Sequence, residues 1–232
     1  MRNILVTTRP AEKYREIRSK LFRIVNVPLT EMQNSFSREK QDDLIGFDPE
    51  VIVFTSETGV RILAGSVPGF LDMRKIVAIG NATSLALGEI GITSFVPHEK
   101  DSMGIAALII KEFPEKKRIA LLRSNRPRPE LEVELRRAGH ITLNVTLYDI
   151  SESEEISMPS RTEIFGYLVT SPFEADILLE RYGIQPDARY FAIGKSTAME
   201  LSRIGVEVSK PVGNSNFADT IKKIEASFQT AQ

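Results

Sequence analysis

The chain has no cysteine and no tryptophan, only two histidines, and a formal net charge of −1 over 232 residues. Without cysteine there is no disulfide framework, no thiol nucleophile and no thiolate metal site. His98 and His140 stand in unrelated contexts, so no imidazole cluster is available for a metal and no histidine is paired with a nucleophile. Balanced charge argues against nucleic acid or an acidic membrane surface as a partner. No apolar run approaches the about 20 residues needed to span a bilayer. The amino-terminal "MRNILVTTRP" is too short in its apolar part for a signal peptide and reads as a first strand, which makes the cytoplasm the expected location. Phosphate fingerprints are missing too: there is no G-x-x-x-x-G-K-[ST], and no G-x-G-x-x-G follows the first strand. Neither G-x-S-x-G nor H-E-x-x-H occurs, and no cofactor or metal is expected.

What is present is ordinary in bulk and unusual in arrangement. With 42% hydrophobic and 26% charged residues, the chain can bury a substantial core. It also repeats itself. "VAIGNATSLALGEIGITSFVP" (77–97) aligns without a gap on "FAIGKSTAMELSRIGVEVSKP" (191–211), with eight identical positions, where chance would give about one or two. "VIVFTSETGVRIL" (51–63) is echoed by "GYLVTSPFEADIL" (166–178), and "NILVTTRP" near the start by "RIALLRSNRP" (118–127). Each half therefore reads strand, helix, connector, then strand–TS–helix, strand–G–helix, short strand, helix. That alternation predicts an α/β protein with parallel sheets covered on both faces, built as two duplicated domains.

Local signals fit this layout. Ser56, Ser84 and Ser171 lie near helix starts, where a hydroxyl caps free N–H groups. Gly91 and Gly205 fall at the left-handed position after a helix. The polar connectors "TEMQNSFSREK" (30–40) and "SESEEISMPSR" (151–161) cut the chain into three pieces. Only the middle piece holds a complete set of units. The expected division is a discontinuous domain of 1–33 plus 154–232, an inserted domain of 38–150, and linkers at 34–37 and 151–153, with a simple split near the middle of the chain as the alternative.

In open α/β sheets ligands bind beyond the carboxyl ends of the strands. The repeats put "FTSE" (54–57), "IGNAT" (79–83), "VTSPF" (169–173) and "IGKST" (193–197) at those ends. Each joins small residues and hydroxyls to the bare N–H groups of a helix start, a natural seat for an anion. Gly80 and Gly194 would let a ligand approach the backbone closely. A strand–Gly–helix corner often does no more than turn the chain; two matching corners in two domains favour a shared ligand. The basic run "RSNRPRPE" (123–130) adds guanidinium groups that can grip carboxylates in a bidentate manner, with solvated surface charge as the plain alternative. His140 and His98 need no role beyond structure and surface.

The paired "FTS"/"VTSP" and "AIGNAT"/"AIGKST" blocks, the "LLRSN" strand and "NVTLYDI" resemble uroporphyrinogen-III synthase, in order and over nearly the whole chain. The resemblance implies two flavodoxin-like α/β domains joined by a two-stranded linker, with a cleft between them as the active site. It implies a cyclising hydro-lyase that takes hydroxymethylbilane, a linear tetrapyrrole polycarboxylate, to uroporphyrinogen III on the route to haem, sirohaem and cobalamin. Water leaves, an azafulvenium ion forms, and ring D is inverted during closure. By the same resemblance Tyr148 matches the family's tyrosine and is the candidate acid. Arg128 matches its usual arginine, although Arg126 and Pro127 replace the customary Gly-Gly. Substrate-binding candidates are Arg9, Ser56, Gly80, Asn81, Thr83, Arg123, Asn125, Arg128, Ser171, Gly194, Lys195, Ser196 and Thr197. The protein is expected to be a monomer without nucleic-acid or membrane partners. Two other readings fit the same two-lobed outline: a non-catalytic sensor of small anions, and a different enzyme acting on another polyanion.

Overall fold

The computed structural model describes residues 2–229. Strand β1 (Ile4–Thr7) leads through a single 3-10 turn (Ala11–Lys13) to β2 (Arg23–Asn26) and then β3 (Thr30–Asn34). There follow α1 (Arg38–Phe47), β4 (Val51–Phe54), α2 (Glu57–Ser66), β5 (Lys75–Ala78), α3 (Asn81–Gly88), α4 (Ser102–Glu112), β6 (Arg118–Ser124) and α5 (Glu130–Arg137). The long β7 (Ile141–Glu152) precedes β8 (Ile164–Val169), α6 (Pro172–Tyr182), β9 (Arg189–Ala192), α7 (Lys195–Arg203) and α8 (Phe217–Gln229).

Contacts divide the chain into two compact units, one of 1–32 with 151–232 and one of 33–150. Strands β3 and β7 are neighbours, and each runs through a unit boundary, so the connection is two-stranded. The first unit holds a sheet in the order β2-β1-β8-β9, with every pair parallel. In the second unit the order β7-β6-β4-β5 is likewise parallel. The two orders are the same once the first unit is read starting from β8, and both are the flavodoxin-like pattern. Strand order reverses between β4 and β6, and between β8 and β1, which makes these the switch points where ligands bind in such sheets.

Burial follows from strands covered on both faces. In β1, Ile4 and Val6 enter one apolar cluster with Tyr167, Val169 and Leu178, while Leu5 enters another with Leu168, Phe191 and Ile221. Successive side chains point to opposite faces, so a continuous apolar run supplies two cores. In the second unit Val51, Val53, Ile119 and Leu121 pack against Ile105, Ile109, Leu131 and Leu135 of α4 and α5. Each such side chain contributes about 1.5–3 kcal/mol on burial.

Three local expectations change. The helix expected after β1 is only the 3-10 turn, because Tyr14, Ile17 and Phe22 pack onto the α8 face of the sheet. Nearby, the Ser19 hydroxyl and the Lys20 N–H, the latter at 2.8 Å, bond the Glu225 carboxylate. The short strand expected after the Gly corners is a single bridge in each unit, Val77 with Phe95 and Tyr190 with Val208. Ser84 is no cap: α3 begins at Gly80, and the Ser84 oxygen instead accepts from Ser94 at 2.9 Å. Ser56 and Ser171 do cap α2 and α6, accepting from Gly59 and Glu174 N–H at 3.1 and 3.2 Å. Gly91 and Gly205, at φ 79° and 87°, close α3 and α7 with Ile92 N–H on Leu87 O and Val206 N–H on Leu201 O.

Candidate functional site

The carboxyl ends of β4, β6 and β7 bring three candidates together in the second unit, Ser56, Asn125 and Tyr148. A register shift between Arg123 and Ser124 sets Ser124 opposite Tyr148. Tyr148 is only 4% exposed, and its hydroxyl donates to Ser56 Oγ at 2.9 Å. Burial is the largest influence on the phenol and raises its pKa, with the nearby Ser56 and Ser124 hydroxyls offsetting part of that, so Tyr148 is protonated at neutral pH and a poor proton source. Asn125 ties β6 to β7: its N–H donates to Tyr148 O at 3.1 Å and its Oδ1 accepts from Ile150 N–H at 2.9 Å.

Arg123 departs from its expected role as a substrate ligand. Its guanidinium is 5% exposed and donates to Arg128 O at 3.0 Å and to Asn144 Oδ1, with Glu132 3.5 Å away. Burial works against its charge and Glu132 offsets part of that. Pointing off the strand face instead of out of its end, it holds the 125–128 loop in place. Arg128 itself is exposed.

In the first unit the corresponding corner is organised by a residue absent from the sequence-based candidates. Glu174 is 2% exposed, and its carboxylate accepts from Thr8 Oγ1 at 2.5 Å, Thr170 N–H at 3.1 Å and Thr170 Oγ1 at 2.7 Å, with Thr30 Oγ1 at 3.4 Å. Desolvation nevertheless raises its pKa. The S-x-x-E spacing of Ser171 and Glu174 is a capping-box signature that could have flagged it. Arg9, also expected at this end, donates through Nε to Lys13 O at 2.8 Å and lies 4.9 Å over the Phe217 ring.

The Gly corners form a second pair of sites. At α3 and α7 the N-cap residues are Gly80 and Gly194, and neither helix has a side-chain cap. The first helical bonds run from Ser84 N–H to Gly80 O and from Ala198 N–H to Gly194 O, both 3.0 Å, so the earlier N–H groups have no helical acceptor. Gly80 and Gly194 are extended, at φ −169° and −171°, a conformation open to any residue. Backbone strain therefore does not explain glycine here: Gly194 is buried with Ser215 Oγ 3.0 Å from where a Cβ would stand, whereas Gly80 meets only the Lys100 side chain. Asn81, Lys195 and Ser196 are exposed on these first turns. Thr83 and Thr197 are not available: at 4% and 1% exposure they sit on the packed faces of their helices, because the third helical position turns inward here.

Two further features were not read from the sequence. The Lys100 stem passes 3.5 Å from where a Cβ on Gly80 would stand, which sets a lysine beside the α3 corner. Leu85 and Met199, one turn after Asn81 and Lys195 and equivalent in the repeat, are 71% and 73% exposed. Their matched positions were visible in the alignment; their exposure was not. The hollow at the amino ends of the second unit's strands is lined by Asp48, Glu50, Arg74, Glu115 and Lys117. These pair with one another or, through Asp48, with Arg118, so that hollow is a charge network.

The sequence profile of the family described as uroporphyrinogen-III synthase HemD matches residues 12–212. The chain belongs to that family. Its fold is similar to a methionine-substituted uroporphyrinogen III synthase from Thermus thermophilus, with TM-score 0.69 at 18% identity over 98% of this chain and 99% of that one. It is similar also to uroporphyrinogen-III synthetase from Helicobacter pylori, with TM-score 0.66 at 16% identity over 98% and 100%. No curated protein sequence matches it. Uroporphyrinogen-III synthases are cyclising lyases acting on hydroxymethylbilane, and the sensor reading is not favoured. Among the described residues no helix is long and apolar enough to cross a membrane.

Proposed function

We propose that this uroporphyrinogen-III synthase directs ring closure by holding the ends of hydroxymethylbilane in one geometry, with no strongly reactive side chain. Holding both ends of a flexible chain in register can supply several kcal/mol of the barrier reduction, part of the about 7–11 kcal/mol that ideal orientation provides. The observation that carries this reading is the matched pair of uncapped helix starts at Gly80 and Gly194, each with a lysine at hand, Lys100 beside one and Lys195 on the other. A substrate carboxylate would take the bare N–H groups of such a corner. Arg9, Ser56, Asn81, Asn125, Arg128, Ser171 and Ser196 would line the remaining approach. Leu85 and Met199 would cover apolar pyrrole surface beside those carboxylates. We place the enzyme in the cytoplasm, a reading that the lack of cysteine fits, and take it to act as a monomer.

The test generates hydroxymethylbilane in situ and resolves the oxidised porphyrin isomers by chromatography. Isomer III well above the spontaneous level is expected. Isomer I alone would reject the assignment and return the sensor reading.

A further inference from the structure

The duplication allows each corner to serve as the control for the other. Ser171 and Ser56 are equivalent N-caps, and each accepts an N–H from the third residue of its helix. What stands at that third residue differs: Glu174 in one unit, Gly59 in the other. Around Ser171 the neighbouring carboxylate of Glu174 is taken up by Thr8 Oγ1 and by the Thr170 N–H and hydroxyl. Gly59 offers no acceptor, and the space is bordered by Leu147, 3.2 Å from where a Cβ would stand. Here Tyr148 comes in from β7 instead and donates to Ser56 at 2.9 Å. Its counterpart in the first unit is Asn26, opposite Thr7 as Tyr148 is opposite Ser124. Asn26 is occupied with the Thr7 hydroxyl and, at 2.9 Å, with Arg9 O.

A serine hydroxyl has two lone pairs and one proton. At Ser56 both lone pairs are filled, one by Gly59 N–H and one by the Tyr148 phenol, so the oxygen can act outward only as a donor. Among the described residues the Ser56 hydroxyl donates to none. It is half-buried at the end of β4 beside β6, at the switch point. Successive hydroxyls polarise one another, so a donor that itself receives a hydrogen bond is strengthened. Tyr148, 4% exposed with its proton already committed to Ser56, is not arranged to reach a substrate.

Building on the synthase reading, we propose that Ser56 is the residue that hydrogen-bonds the departing hydroxyl oxygen of hydroxymethylbilane, and that Tyr148 is a positioning residue acting through Ser56. As the C–O bond breaks, its electron pair goes to that oxygen, which gains a proton from solvent and leaves as water. The pyrrole nitrogen's lone pair fills the vacated carbon, giving the azafulvenium ion. The proton is returned when the attacking pyrrole loses the proton from its α-carbon on closure. Ser56 supplies a directed hydrogen bond to the oxygen as charge builds there, and keeps its proton.

The experiment is a mutant cycle on the intact enzyme, with hydroxymethylbilane made in situ, isomers resolved by chromatography, and folding checked by circular dichroism melts. Ser56→Ala should lower kcat about tenfold, the worth of one hydrogen bond made in the transition state, with KM within about twofold of wild type. Ser56→Thr, which keeps the hydroxyl, should restore most of the rate. Ser37→Ala removes the N-cap of α1 and should leave kcat unchanged, which separates a lost helix cap from a lost donor. Tyr148→Phe should slow the wild type about threefold and have no further effect in the Ser56→Ala background. Equal loss from Tyr148→Phe in both backgrounds, or a Ser56→Ala effect on KM alone, overturns the proposal while wild-type isomer III leaves the synthase assignment standing. A wild type that yields isomer I alone overturns both.

Discussion

At the scale of single residues, two carboxylates with opposite shifts give opposite pH signatures. Burial raises the Glu174 pKa above its ordinary 4.5. In the window between those two values the native state binds more protons than the unfolded chain, so Glu174's contribution is full below about pH 4.5 and lost as pH rises through its folded value. Urea midpoints of wild type should therefore fall relative to those of Glu174→Gln between about pH 4.5 and neutrality. A constant offset would show that Glu174 does not titrate there. Glu50 behaves in the other sense: the Arg118 N–H and Lys117 lower its pKa, so its contribution is present above about 4.5 and lost as pH falls through the folded value. With its side chain 39% exposed, Glu50→Gln should cost under about 1 kcal/mol at pH 7 and less still in acid, read from the same melts.

At the scale of elements, the matching Gly corners are not interchangeable. A Cβ on Gly80 meets only the flexible Lys100 stem, at 3.5 Å or beyond, whereas one on Gly194 stands 3.0 Å from Ser215 Oγ. Gly80→Ala should leave stability within about 0.5 kcal/mol of wild type, while KM for hydroxymethylbilane rises severalfold. An unchanged KM would reduce the corner to a chain reversal. Gly104→Ala should be far worse for folding, by roughly 1–3 kcal/mol or more, since its Cβ would overlap the Glu99 carbonyl in the turn before α4. Thermal melts of the two variants separate these outcomes. The caps at Ser56 and Ser171 were legible because a cap is a local bond between residues three apart. Ser84 misled because a hydroxyl near a helix start marks the region and not the first residue; Gly80 held that place. The missing helix after β1 shows the opposite limit, since packing of Tyr14, Ile17 and Phe22 overrides local helical preference.

At the scale of the whole molecule, a net charge of −1 supplies no general attraction for a polycarboxylate. Any electrostatic grip must be local, at the open helix starts and at Lys100 and Lys195. KM should then rise with salt as the screening length shrinks from about 10 Å at 0.1 M to about 3 Å at 1 M. Lys100→Ala and Lys195→Ala should each flatten that dependence and leave the isomer ratio intact. A salt-independent KM in wild type would remove charge from the account of binding.

The sequence by itself determined the alternation of strands and helices, the duplication, the Thr-Ser and Gly corners and the family, because these rest on apolar periodicity and on fixed offsets along the chain. Only the tertiary structure decided which side chains are already taken. Tyr148 meets Ser56 across 92 residues, Thr8 meets Glu174 across 166, and Arg123 turns to Asn144 on the neighbouring strand. The physical reason is that a side chain's availability depends on partners brought together by strand register and sheet order, and two equal-looking corners surround their capping hydroxyls differently, Tyr148 meeting Ser56 in one and the Glu174 carboxylate standing beside Ser171 in the other.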